Sequence, residues 1–215
     1  MLHTSLHSWH AAHGAKLVDF AGWHMPVLYT SLVEEHHAVR QRVGLFDVAH
    51  MGRLRFDGPD ALPFLEQVLT TDCGKLAIGD VKYSLVCQED GGILDDVLLY
   101  RRDHCWQLVV NASNREKLLT WFGQQQVGRD IGLIDETLTT CMIAVQGAVS
   151  RFRDALRRLG AQLDDKSWAI GVDLYRLKIG DEQLSVFSDE HSLDIEGSDG
   201  LVQRVLREYA HNAAS

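Results

Sequence analysis

The 215-residue chain is 46% hydrophobic and 24% charged, with a net charge of −9. These ordinary globular values allow one or two domains with a core that needs no disulfide or metal staple. No Lys/Arg run is long enough for a nucleic-acid footprint and no apolar run approaches the roughly 18 residues of a membrane span, so neither nucleic acid nor membrane is an expected partner.

Residues Thr4 to His13 read as a short helix, with Thr4 or Ser5 as cap and Gly14 as stop. Leu17–Phe20 reads as a strand, after which AGWHMP turns the chain. The next helix spans TSLVEEHHAVRQRVG. Thr30 or Ser31 caps it, Glu34 and Glu35 complement its first turn, and Gly44 ends it. Leu45–Val48 is a strand. Arg53 to Phe56 alternates as a half-buried strand should. A Gly58-Pro59-Asp60 turn follows, then a helix with an apolar stripe of Ala61, Leu62, Phe64, Leu65, Val68 and Leu69.

KYSLVCQEDGGILDDVLLYR is the clearest hairpin, its strands flanking Asp90-Gly91-Gly92. WQLVVNAS is a further strand, and Asn111 or Ser113 caps a helix running to about Phe122. LTTCMIAVQG is a strand, followed by a helix from about Ser150 to Leu159. Beyond Gly160, strands are expected near Trp168–Val172, Leu174–Ile179 and Leu184–Phe187, and a last helix over Leu201–Ala210. Strands and helices mix without regular βαβ alternation, which predicts an α+β fold with antiparallel sheets. The two halves repeat a similar order of elements, suggesting an interlocked architecture.

The hairpin carries the most chemistry. Asp95 and Asp96 are neighbours in a strand, so only one can face a given pocket. Tyr83 lies across the hairpin and Asn111 ends the next strand; acid, phenol and amide could line one site. The ordinary alternative is a solvated acidic turn. His3, His7, His10 and His13 fall near one helical face, with His36, His37 and His50 beyond. H-E-x-x-H and zinc-type Cys/His spacing are absent, so an amphipathic helix and no metal are expected. Phosphate-binding glycine motifs and a nucleophile elbow are absent too. Cys73, Cys87, Cys105 and Cys141 lack CxxC spacing and read as reduced, mostly buried thiols. A cytosolic location follows, with an organelle matrix as the alternative.

The run HGAKLVDFAGWHMPVLYTSLVEEHHAVRQRVGLFDVAHMG closely resembles the start of the aminomethyltransferases, the T-proteins of the glycine cleavage system. YSLVCQEDGGILDDVLLY, LVVNASNREK and AVQG resemble further hallmarks, although the proline usual after the last glycine is Ala148 here. Clear resemblance covers about residues 6–147. It implies two interlocked antiparallel-sheet lobes with flanking helices, without the family's C-terminal β-barrel domain. One lobe would comprise 1–51 plus 137–215, and the other 52–136.

The resemblance also implies a reaction: transfer of a one-carbon unit from the aminomethyl-lipoyl arm of the H-protein to tetrahydrofolate, with release of ammonia and no metal. By motif match Asp96 is the catalytic carboxylate and faces the cavity between the lobes, with Asp95 facing away. Met51, Tyr83, Tyr100 and Asn111 line the folate cavity. An RTGYTGEDGFE-type run of the family becomes LSVFSDEHSLDIE here. A gapless register puts Phe187 at its tyrosine and Asp194 at its pterin-gripping glutamate. The arginine and three glycines are gone, so a loop of another shape is expected. Self-association could replace the absent wall of the site. The other two readings are a non-catalytic tetrahydrofolate-binding module and a degenerate paralogue that partners glycine cleavage proteins.

Overall fold

The computed structural model describes residues 1–147, 156–169, 172–179, 181–188, 192–198, 200–205 and 207. The chain divides into two compact units. The first comprises Met1–His50, Thr139–Lys166 and Gly171–Ser215; the second comprises Met51–Leu138 with Ser167–Ile170. The fold is α+β, and every pairing between named strands whose register is described is antiparallel.

In the first unit, helix α1 (His7–Ala12) precedes a hairpin of β1 (Lys16–Phe20) and β2 (Trp23–Leu28). The helix has no side-chain cap. Thr4, expected to cap it, donates instead to Asp47 at 2.6 Å. The turn is only Ala21-Gly22, both at positive φ; Trp23 to Pro26, expected to belong to the turn, are strand. Helix α2 (Leu32–Gln41) is capped by Ser31, one of the two expected caps, whose Oγ accepts from the Glu34 N–H. It stops at Gln41, before Gly44, which already lies in β3 (Val43–Asp47). A Cβ at Gly44 would strike the Val39 side chain at 2.5 Å, so close packing of α2 on β3 explains this glycine.

The second unit opens with β4 (Gly52–Asp57), α3 (Ala61–Val68) and the hairpin β5 (Val81–Cys87) and β6 (Ile93–Arg101). Strand β7 (Trp106–Val110), helix α4 (Arg115–Gln125) and strand β8 (Gly132–Asp135) complete it. Strand β8 has no counterpart in the sequence reading; it is four residues long and pairs with β4. The five strands are ordered β5-β6-β7-β4-β8. Alternate residues supply one buried face: Leu54 and Phe56 from β4, Val97 and Leu99 from β6, Leu108 and Val110 from β7. Phe64, Leu65, Leu118 and Phe122 of the two helices join the same core. Phe56 and Phe122 meet edge to face with centroids 5.4 Å apart. Leu62, expected in the α3 stripe, is exposed.

The chain continues through β9 (Cys141–Gly147), β10 (Gln162–Ala169), β11 (Val172–Ile179), β12 (Glu182–Ser188) and β13 (Ser192–Gly197), all in the first unit except the last three residues of β10. With β3 they form a six-stranded sheet ordered β10-β11-β12-β13-β9-β3. Cys141, Ile143 and Val145 of β9 pack with Leu201, Val202 and Val205 in this unit's core. Gly147 has φ +98, and a Cβ there would run into the Val39 and Arg42 carbonyl oxygens, so only glycine fits. The helix expected from Ser150 lies outside the described residues as far as 155; residues 156–158 are helical. Of the last expected helix, Leu201–Ala210, residues 201–205 and 207 are helical, and 206 and 208–210 lie outside the described residues. Among the described residues no helix is long and apolar enough to cross a membrane. Cys73 and Cys141 are buried, Cys87 and Cys105 partly so, and all four are free.

Candidate active site

The β5–β6 hairpin turns at Gly91, whose φ of +84 suits the residue. The pairing is not uniform. Val86 sits opposite Asp95 but Cys87 sits opposite Ile93, so Leu94 is an extra residue in β6. A bulge of this kind re-aims the side chains beside it. Leu94 and Asp95 are both buried in consequence, while Asp96 is exposed. Lys117 of α4 donates to the freed Leu94 carbonyl at 2.6 Å and holds the bulge in place.

Asp95 is 3% exposed. A buried carboxylate needs donors, and three converge on it. The Asn111 N–H reaches Oδ2 at 3.0 Å, and Asn111 Nδ2 and Asn114 Nδ2 reach Oδ1 at 2.9 and 2.5 Å. Neither Asn111 nor Ser113 caps α4. Asn114 occupies the N-cap position without a capping bond, and the two asparagine side chains are spent on Asp95. Asp95 thus braces the turn between β7 and α4, a role that neighbouring residue types in the sequence do not signal.

Asp96 stands on the other face. Asn111 Nδ2 also donates to Asp96 Oδ1 at 2.9 Å, and Tyr83 Oη approaches Asp96 Oδ2 at a long 3.5 Å. Leu85 pairs with Asp96 and Tyr83 with Leu98, so Tyr83 is the diagonal neighbour of Asp96 on one face of the hairpin. One carboxylate oxygen is therefore held by an amide, and the other is left with room for an incoming N–H. Asp96, Tyr83 and Asn111 are thus brought together on the hairpin.

The remaining candidates are placed as follows. Tyr100 lies four residues along β6 on the same face as Asp96 but is buried, with the Arg102 guanidinium 5.3 Å over its ring. Met51 precedes β4 and is partly buried; its carbonyl accepts from Arg53 Nη1 at 2.8 Å. Arg53, expected on a half-exposed strand, is fully buried, and its Nη2 donates to the Thr137 carbonyl at 2.5 Å. Phe187 and Asp194 belong to the first unit. They are partners in the β12–β13 register, Phe187 opposite Asp194. The segment expected to differ in shape from the family's loop holds β12, where a strand was expected at Leu184–Phe187, and β13, which pairs with it.

The first unit also holds a polar network beside a cleft of about 810 Å³ lined by Leu28, Tyr29, Val39 and Phe46, among others. Tyr29 Oη lies 2.5 Å from His10 Nδ1, and His10 Nε2 lies 2.8 Å from Asp47 Oδ2. Burial pushes the Asp47 carboxyl up. The hydrogen bonds from His10, Thr4 and the Ala49 N–H, with the His10 charge, outweigh it and hold the group below its usual range. Burial, with Asp47 and Glu35 nearby, pushes the Tyr29 phenol up to about 12.

Residues 6–172 match the family model described as the GCVT N-terminal domain. The chain belongs to the glycine-cleavage aminomethyltransferase family. It is 49% identical over 144 residues to the aminomethyltransferase of Rubrobacter xylanophilus, covering 67% of this chain and 39% of that protein. Against the aminomethyltransferase of a Geobacillus species it is 39% identical over 202 residues, covering 94% of this chain and 50% of that one. The crystal structure of glycine cleavage system aminomethyltransferase T from Bartonella henselae superposes with a TM-score of 0.81 at 26% identity, over 97% of this chain and 56% of that chain. The chain thus spans about two-fifths to a little over half the length of these aminomethyltransferase relatives. A chain of the heterotetrameric sarcosine oxidase of Corynebacterium shares the fold, with a TM-score of 0.58 at 12% identity.

Proposed function

We propose that this chain transfers a one-carbon unit from an aminomethyl group on the lipoyl arm of the H-protein to tetrahydrofolate. The observation that carries this reading is the cluster of Asp96, Asn111 and Tyr83 in a member of the aminomethyltransferase family. In the reaction the methylene carbon leaves sulfur and the amine nitrogen and bonds the N5 and N10 nitrogens of the folate. The two protons those nitrogens lose end on the released ammonia and the lipoyl thiol. Asp96 orients the N10 amine, accepts its proton, and its negative charge stabilises the iminium-like carbon. Asn111 holds one carboxylate oxygen so that the other points at the amine. Met51, Tyr83, Tyr100, Phe187 and Asp194 complete the proposed folate surroundings, within two lobes of 1–51 plus 137–215 and 52–136.

A second reading is a folate-binding module without turnover, or a degenerate paralogue. It is favoured by the β12–β13 segment, where Phe187 and Asp194 are strand partners and the arginine and three glycines expected of the family are missing. Calorimetric titration with tetrahydrofolate, paired with an assay of methylenetetrahydrofolate formation from aminomethyl-loaded H-protein, separates the readings. Binding with turnover supports the transferase. Binding without turnover supports the module, and no binding leaves the paralogue.

A further inference from the structure

We propose that His3, His7 and His24 form a binding site for a divalent transition-metal ion of the zinc type. The three imidazoles come from three different elements of the first unit: the extended start of the chain, the first residue of α1 and the second residue of β2. One ligand nitrogen from each lies within 4.8 Å of the other two. His7 Nε2 and His24 Nδ1 are already 2.8 Å apart, and the His3 and His7 rings stack with centroids 3.7 Å apart.

The backbone holds this arrangement before any ion arrives. Leu2 bridges to Trp23; its N–H donates to the Gly22 carbonyl at 2.7 Å, and its carbonyl accepts from the His24 N–H at 2.8 Å. His3 is thereby tethered beside His24. The neighbouring histidines of the same helix are committed elsewhere: His10 to Asp47 and Tyr29, and His13 to the Trp9 carbonyl. Among the described residues this is the one group of three or more His, Cys, Asp or Glu side chains with ligand atoms so close.

Three imidazoles select a borderline cation such as zinc, cobalt or nickel over magnesium or calcium, which take oxygen ligands. Zinc–nitrogen bonds of about 2.0–2.1 Å place tetrahedral ligand atoms roughly 3.3 Å apart. The His3 and His7 rings lie parallel, so they must tilt out of their stack for their nitrogens to converge on one ion, and the ion replaces the His7–His24 hydrogen bond. A fourth position stays open to water. The bound ion would tie the chain's start, α1 and the β1–β2 hairpin together, a link of small sequence span made without a disulfide.

The test uses the full chain stripped with chelator and then titrated with zinc by calorimetry and with cobalt by absorption. The expected result is one saturable equivalent, tetrahedral-type cobalt bands, and a zinc-dependent rise in Tm. His24→Ala and His3→Ala should each weaken binding by more than about tenfold and abolish the Tm rise. His3 is exposed, so its variant keeps the test decisive if His24→Ala folds poorly. A combined His36→Ala and His37→Ala variant should bind as the parent does. Absence of saturable binding, binding unaffected by His3→Ala, or binding lost with His36 and His37 would overturn the proposal.

Discussion

Asn111 donates twice to the buried carboxylate of Asp95, through its backbone N–H at 3.0 Å and its side-chain amide at 2.9 Å. The same amide reaches Asp96 at 2.9 Å. One residue therefore joins the carboxylate that braces the turn to the carboxylate proposed to do chemistry. Asp95→Ala should leave the partly buried Asn111 N–H without its acceptor and cost about 1–3 kcal/mol. Asp96→Asn should change stability by less than about 0.5 kcal/mol, since the side chain is exposed. Urea unfolding of the two variants measures the contrast; equal losses would contradict the division of roles.

Turnover should show the opposite ranking. Asp96→Asn keeps the shape but cannot take a proton or carry charge beside an iminium carbon, and a positioned base is worth about 10²–10⁴ in rate. Tyr83→Phe removes one long contact, worth no more than about 0.5–1.5 kcal/mol. The measurement is methylenetetrahydrofolate formation from loaded H-protein. Full turnover by Asp96→Asn would show that the carboxylate has no such role.

Acid stability should depend on Asp47. Its folded carboxyl is held below the ordinary value of 3.8, so the folded state binds the proton less readily than the unfolded chain. The stabilisation is fully present above the unfolded value and is lost as the pH falls below about 4 and through the folded value. Asp135 acts in the same sense: burial raises it, and Arg115 and Thr137 bring it down further than burial lifts it. Unfolding free energy measured against pH should fall less steeply below about pH 4 in Asp47→Asn than in the parent. An unchanged acid slope would remove Asp47 from the account.

Two glycine substitutions should have opposite signs. Gly147→Ala puts a methyl group against the Val39 and Arg42 carbonyls at a φ of +98, which should cost at least about 1–3 kcal/mol. Gly123 lies inside α4 with open space where a Cβ would go, so Gly123→Ala should stabilise by about 0.5–1 kcal/mol. Thermal melts of both decide it. A Gly147→Ala variant as stable as the parent would mean that the β9 end does not pack on α2 as described.

The amino-acid sequence by itself determined what depends on near neighbours in the chain. The α2 cap is narrowed to Thr30 or Ser31 because a cap acts within one turn, and Ser31 takes the role. The β5–β6 hairpin is read from Gly91 because its turn selects a positive φ locally. That Tyr83 and Asn111 lie near the Asp95–Asp96 pair was legible because strand pairing brings one hairpin and the end of the next strand together, while the choice of Asp96 over Asp95 came from the resemblance to the family.

Tertiary structure alone decided the rest. Strand β8 is too short to show periodicity and exists by pairing with β4, some eighty residues earlier. The bulge at Leu94 is a mismatch between two strands and has no signature in either one. Arg53 looks like an exposed strand residue, yet it is buried because Thr137, far along the chain, supplies carbonyl and hydroxyl partners. His3, His7 and His24 have no ligand spacing in sequence, and they meet because Leu2 pairs alongside Trp23. In each case the deciding partner is distant in the chain, where a propensity or a period carries no information about it.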